Sequence, residues 1–150
     1  MNAQDYIPQA AAVPYRFQAA GALEILLIRW AGKQKWGIPK GLVDPGHTHP
    51  QAAIIEAHEE AGVEGRLWPE PLGEYLYNKY NGLCQVRVYA LQVERELNDY
   101  DECGLRLRKW FTLEQACDTV HREAVRTLIV TLGRRLDAAA VARASMENVA

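Results

Sequence analysis

Glu56, Glu59 and Glu60 fall close together in the stretch GLVDPGHTHPQAAIIEAHEEAGV, which runs from Gly41 to Val63. At about 100° per residue on an α-helix they share one arc roughly 100° wide, which gathers three carboxylates on one side of a rigid element. Acids three and four residues apart repel by roughly 0.2–0.5 kcal/mol a pair, and these sit near the negative end of the helix dipole. The pattern therefore predicts a cation beside them. Hard oxygen donors on one element suit Mg²⁺ or Mn²⁺, ions that retain some water and bind substrate phosphates as well. Glutamates on a helix are usually no more than a solvated face. The adjoining loop sets this helix apart.

That loop, KWGIPKG, holds Gly37, Pro39 and Gly41 in close succession. These residues break regular structure and shape a connection leading toward the acids, and such loops carry function. Lys40 is placed there to contact a phosphate, although a loop lysine is more often simply solvated. The helix has local start and stop signals: Thr48 as N-cap, Pro50 in the first turn, Gln51 completing a capping box, and Gly62 at the end. Ile54, Ala57 and Ala61 read as its packing side. Ala52 and Ala53 read as small residues that leave room for a ligand beside the acids.

The elements that position this helix are legible as short apolar runs. AAVPYRF and LEILLIRW, starting at Ala11 and Leu23, read as two buried strands. GEYLYNKY and LCQVRVYALQV flank Asn81-Gly82, which predicts a hairpin closed by a type I′ turn. This pairing places Tyr75, Tyr77, Lys79, Cys84, Val86 and Val88 on one face, the expected core side. Glu74, Leu76, Asn78, Gln85, Arg87 and Tyr89 share the other. Arg87 is a candidate substrate contact if that face borders a polar cleft, and is otherwise a solvated strand residue. LRLRKWF reads as a further strand, and Thr112 with Gln115 as a second capping box. Val125, Leu128, Ile129, Leu132 and Leu136 form the apolar stripe of a last helix. Asp101 and Glu102 could supply an extra metal ligand or base, but an exposed acidic turn is the better reading. The class is α/β, a mixed sheet sandwiched between helices, with a compact body over about 12–136 and an Ala-rich C-terminal extension.

The bulk properties of the 150 residues, 49% hydrophobic and 24% charged, suit one globular domain. A formal net charge of −2 offers no whole-molecule attraction to a nucleic acid polymer or an acidic membrane. Three cysteines without CxxC spacing argue for free thiols in a reducing compartment, and with no leader or long apolar run in evidence the expected location is cytoplasmic. Neither GxxxxGK[ST] nor GxGxxG occurs, which excludes the P-loop and dinucleotide fingerprints. His47 and His49, with Asp44 nearby, lack the third well-spaced ligand of a transition-metal site.

The stretch from Gly41 to Val63 resembles the Nudix box, Gx5Ex7REUxEExGU with U aliphatic. Gly41 matches the opening Gly, Glu56 the Glu of RE, Glu59-Glu60 the EE pair, Gly62 the Gly and Val63 the last aliphatic, while Ala57 stands where a larger aliphatic is usual. WGIPKG, the hairpin and RKWFTLEQA are similar to the branch of diphosphoinositol polyphosphate phosphohydrolase-like Nudix proteins. The resemblance covers approximately residues 10–130. It implies a Nudix-type α/β/α sandwich, in monomeric or homodimeric form. It further implies Mg²⁺-dependent (or Mn²⁺-dependent) hydrolysis of a phosphoanhydride in a nucleoside polyphosphate, dinucleoside polyphosphate or diphosphoinositol-type small molecule. Glu56 and Glu60 would ligate the metal, with Glu59 as a further ligand or as the residue that orients or deprotonates water. The Lys40 carbonyl would complete the shell.

Two positions depart from the box: His47 stands in place of its first Glu and Ile55 in place of its Arg. Loss of both charges together is what replacement of a structural ion pair looks like. These departures raise a rival reading, a catalytically silent Nudix-like module that binds a nucleotide.

Overall fold

Seven strands form one mixed sheet in the computed structural model, which describes residues 5–147. In chain order the elements are β1 (Ile7–Phe17), β2 (Leu23–Trp30), β3 (Lys40–Leu42), α1 (His49–Ala61), β4 (Val63–Leu67), β5 (Gly73–Lys79), β6 (Gly82–Glu96), β7 (Arg106–Thr112), α2 (Leu113–Thr119) and α3 (Glu123–Glu147). The sheet order is β4-β6-β1-β2-β7, with β3 added to β1 and β5 to β6. β1 and β6 run parallel, and the remaining pairs are antiparallel.

Strand alternation divides the core into two layers. Ala10 and Ala12 of β1, with Leu26 and Ile28 of β2, pack against α1, while Ala11, Val13, Ile25 and Leu27 pack against the stripe of α3 that includes Val125, Ile129 and Leu132. The result is the expected α/β/α sandwich. β1 starts earlier than expected because Ile7 to Gln9 continue the parallel ladder with Cys84 to Val86, a long-range pairing invisible to local pattern.

The local signals of α1 hold. Thr48 Oγ1 accepts from Gln51 N–H at 3.2 Å while Gln51 Oε1 accepts from Thr48 N–H at 2.8 Å, and Gly62 closes the helix at φ +64°. Its packing face differs from the expectation. Ala52 and Ala53 are buried against Ala10 and Tyr89 and leave no ligand space, whereas Ile54 is 47% exposed. Small residues permit close approach of helix and sheet, and the face turns toward β1 accordingly.

The hairpin also differs in detail. The two residues of its turn are Tyr80 and Asn81, at φ +56° and +59°, and Lys79 pairs with Gly82. The loop sits one residue earlier than Asn81-Gly82 and the pairing shifts by two, so both faces keep the expected residues. The second capping box, Thr112 with Gln115, is present at the start of α2. α3 carries the Ala-rich extension as an exposed helix to Glu147, the last part of the extension lying outside the described residues.

Candidate active site

The end of α1 meets the loop before β3 through one bond: Glu60 Oε1 accepts from Lys40 N–H at 3.1 Å. Gly41, the next residue, lies against the neighbouring carboxylate so closely that a Cβ there would fall inside the Glu56 carboxyl group. Glycine at this position lets the backbone run directly under an acid, and a side chain there would have to push the Glu56 carboxyl aside. Glu56 and Glu60, one helical turn apart, thereby enter the same cleft, which has a volume of about 470 Å³. Lys40, Asp44, Glu102 and Arg106 also line it, with Gln9, Trp30, Lys79 and Tyr80 around them.

Electrostatics mark the carboxylate pair. Glu60 is only 7% exposed, and burial, opposed by Arg106 and reinforced by Glu56, pushes its pKa up to about 8. Burial likewise raises Glu56, with the neighbouring Glu60 opposing and Glu59, Glu102 and Asp44 adding to the rise as like charges. Burial works against the charged form of both groups, and positive charge brought beside them would restore it. Burial, together with Lys79 and Arg122, lowers the Lys40 ammonium, although Glu60 works the other way.

The protein supplies some of the positive charge that the acid helix demands. Arg106 of β7 lies 3.4 Å from Glu60 Oε2, donates to Glu102 Oε1 at 2.6 Å and stacks 3.8 Å from the Trp30 ring centroid. Two residues on, Arg108 donates to the carbonyls of Ala61 at 2.9 Å, Gly62 at 3.2 Å and Leu97 at 2.8 Å. It thus neutralises the negative end of α1 directly. These guanidiniums meet the dipole and one face of Glu60; neither forms an ion pair with Glu56.

Of the residues expected from sequence, Glu56, Glu60 and Lys40 converge on the cleft. Glu59 faces an adjoining shallow groove with Ile54, Ile55, His58 and Glu64, while its carbonyl accepts from Glu102 N–H at 3.0 Å. Arg87 donates to Glu74 Oε2 at 2.6 Å on the outer hairpin face and is not among the cleft residues. Arg106, Trp30 and Tyr80 are additional cleft residues. The Arg106/Arg108 alternation in LRLRKW was the available signal, since residues two apart share a strand face. Glu102, expected in an exposed turn, is drawn to the cleft by Arg106, whereas Asp101 remains exposed.

The donor chemistry fits a hard divalent ion. Two buried or half-buried carboxylates lie side by side without a full complement of cations. Among the described residues no three His, Cys, Asp or Glu side chains converge on one point. The ligand set that fits is therefore two carboxylates completed by a backbone carbonyl, water and phosphate oxygens.

Comparison with known proteins agrees with this fold. The NUDIX domain family model matches residues 6–129. Nudix hydrolase 16, mitochondrial, of Arabidopsis thaliana is 30% identical over 138 residues, which cover 81% of this chain and 76% of the relative. Diphosphoinositol polyphosphate phosphohydrolase 3-alpha of Homo sapiens is 33% identical over 96 residues, covering 62% of this chain and 57% of the human protein. The crystal structure of a C. elegans Ap4A hydrolase superposes with a TM-score of 0.72 at 26% identity, covering 88% of this chain and 99% of that one. The chain belongs to the Nudix family of pyrophosphohydrolases. Among the described residues no helix is long and apolar enough to cross a membrane.

Proposed function

We propose that this chain is a Mg²⁺- or Mn²⁺-dependent hydrolase of a phosphoanhydride bond in a nucleoside polyphosphate, dinucleoside polyphosphate or diphosphoinositol-type substrate. The observation that carries the reading is the paired burial of Glu56 and Glu60 in one cleft, beside the Lys40 backbone. In this reading Glu56 and Glu60 hold the ion, with the Lys40 carbonyl as a further donor. A bound divalent ion would neutralise charge on the bridging phosphates and make water more acidic. Lys40 and Arg106 both line the cleft and offer positive charge to phosphate oxygens, and Arg106 is held in place by Trp30 and Glu102. Glu59 is assigned as a further ligand or as the base for water, a role that requires its side chain to turn from the adjoining groove. Arg87 contacts substrate only if its pair with Glu74 opens. The three free cysteines suit a reducing compartment, and the cytoplasm is the location we propose.

The similarity to an Ap4A hydrolase and to a diphosphoinositol polyphosphate phosphohydrolase supports this substrate range. His47 and Ile55 favour the silent binding module instead. One assay separates the two. Phosphate or nucleotide release from diadenosine polyphosphates, ADP-ribose and nucleoside triphosphates is measured with and without Mg²⁺, with Glu60→Gln as control. Turnover abolished by chelator and by Glu60→Gln supports the enzyme; binding without turnover across the panel establishes the silent module.

A further inference from the structure

Three cations line the acidic cleft, Lys40, Lys79 and Arg106, and each rests on an aromatic ring. The Lys40 ammonium lies 5.0 Å from the Tyr77 centroid, the Lys79 ammonium 5.0 Å from that of Tyr80, and the Arg106 guanidinium 3.8 Å from that of Trp30. The carboxylates of Asp44, Glu56, Glu60 and Glu102 face the same space. Opposite charges in a partly buried cleft attract strongly and tend to pair. Arg106 pairs, with Glu60 and Glu102. Among the described residues neither lysine does.

Lys40 is well placed to do so. Its own amide donates to Glu60 at 3.1 Å, and the next residue, Gly41, lies directly against the Glu56 carboxyl. A lysine's four-carbon stem is long enough to bring the ammonium back onto either acid. The pleat of β3 starts the side chain in the other direction. Gly41 pairs with Ala10, which packs against α1, whereas Lys40 pairs with Ala11, which packs on the α3 side. The Lys40 side chain therefore leaves the backbone on the sheet face away from the acid helix, and Tyr77 packs against the core of that same face.

The ring that receives it is anchored. The Tyr77 hydroxyl donates to Gln9 Oε1 at 2.8 Å, and Gln9 is a polar side chain only 2% exposed, registered between Leu42 of β3 and Val86 of β6. The surrounding charges work against this arrangement. Glu60 attracts the ammonium, while Lys79, Arg122 and Arg106 repel it, Arg122 from the same Tyr77 ring at 4.3 Å. An ammonium that yielded to this push would settle on the carboxylate pair and supply the positive charge that a divalent ion otherwise brings.

We infer that Tyr77 is a positioning residue: its ring, set by the buried Gln9 amide, holds the Lys40 ammonium off Glu56 and Glu60 and keeps that pair open to a divalent ion. The inference rests on the proposed metal-dependent reading and extends it to a side chain that is not among the residues lining the cleft.

The test reads Mn²⁺ affinity by electron paramagnetic resonance of the free ion, which requires no turnover, with Glu60→Gln as the control that locates the ion. Tyr77→Met keeps apolar bulk without a ring and is expected to weaken Mn²⁺ about tenfold, the scale of one desolvated cation–π contact. Tyr77→Phe keeps the ring and should lose much less. Adding Lys40→Met to Tyr77→Met should restore the affinity, because the competing ammonium has gone; damage to the fold would not be repaired in this way. The Lys40 ε-protons report the geometry independently by NMR, with an upfield ring-current shift in the wild type and in Tyr77→Phe that disappears in Tyr77→Met. Glu60-dependent Mn²⁺ binding that is indifferent to Tyr77→Met, or a weakening that Lys40→Met fails to relieve, would overturn the role of Tyr77 and leave the hydrolase reading standing. The expected affinities in a protein that hydrolyses no substrate would refute the hydrolase and uphold the role. Absence of Mn²⁺ binding at Glu60 would overturn both.

Discussion

Glu60 reaches across from α1 to accept a hydrogen bond from the Lys40 amide at 3.1 Å, which ties the acid helix to the glycine-proline loop at one buried point. The same carboxylate has Arg106 on its other side at 3.4 Å. Helix, loop and strand β7 therefore meet at a single side chain, and its charge state bears on all three.

Glu60→Gln keeps the shape and can still accept from Lys40 N–H, but it removes the charge that a metal requires. Hydrolysis should fall on the order of 10²–10³-fold, while the thermal midpoint in chelator near neutral pH stays level, because the metal-free Glu60 is already largely uncharged there and Gln replaces it shape for shape. A midpoint that drops together with activity would show that Glu60 is chiefly a structural member.

The metal-free protein should lose stability as pH rises. Burial holds the folded-state pKa of Glu60 at about 8, well above the ordinary carboxylate value of 4.5, so the folded form binds the proton more tightly. The contribution is fully present below the unfolded value and is lost as pH climbs through the folded one. Glu56 is shifted in the same direction. Urea midpoints in chelator at several pH values across this window, compared with Glu60→Gln, should show a steeper decline in the wild type. Added Mg²⁺ should flatten it and release protons on binding, as detected in buffers of different ionisation enthalpy.

Gly41→Ala places a methyl group where the Glu56 carboxyl now sits. A flexible side chain can move aside, so folding should be little affected, but a carboxylate displaced by an ångström or so should cost about 10²-fold in kcat. Loss of kcat with an unchanged urea midpoint is the expected pair of results.

His47 is exposed and Ile55 half-buried. If they stand where an ion pair once braced loop and helix, restoring both charges by His47→Glu with Ile55→Arg should be better tolerated than either single change. A double-mutant cycle on urea stability should give a favourable interaction of roughly 0.5 kcal/mol or more. Strict additivity would reject the pairing.

Arg108 serves three carbonyls, two of them at the C-terminal end of α1. Arg108→Met should destabilise the fold by about 2–3 kcal/mol, because those acceptors and the helix dipole lose a charged donor together. Chemical denaturation would measure it.

The parts readable from sequence were those encoded locally. α1 carries its own caps at Thr48, Gln51 and Gly62, and its acids recur at helical spacing, so Glu56 and Glu60 were visible as a pair. Arg106 acquires its place through the antiparallel register of β7 with β2, which sets it opposite Trp30. No local pattern reveals that strand Arg106 belongs to will lie beside the end of α1. Ala52 and Ala53 misled for a related reason: a small side chain marks either open space or close packing, and only the sheet beneath the helix decides between them.

Close seating of α1 on the sheet has a further result. Ala52, Ala53, Ala57 and Ala61 meet Ala10 and Ala12, with Leu26, Ile28, Tyr89 and Leu91 packed around them. A bulkier residue in place of any of these six alanines would lift the helix bodily and carry its acids out of reach of the loop. The acid helix is consequently an anvil without adjustment, and the parts of the cleft left free to vary are the hairpin tip at Lys79 and Tyr80 and the rim loops.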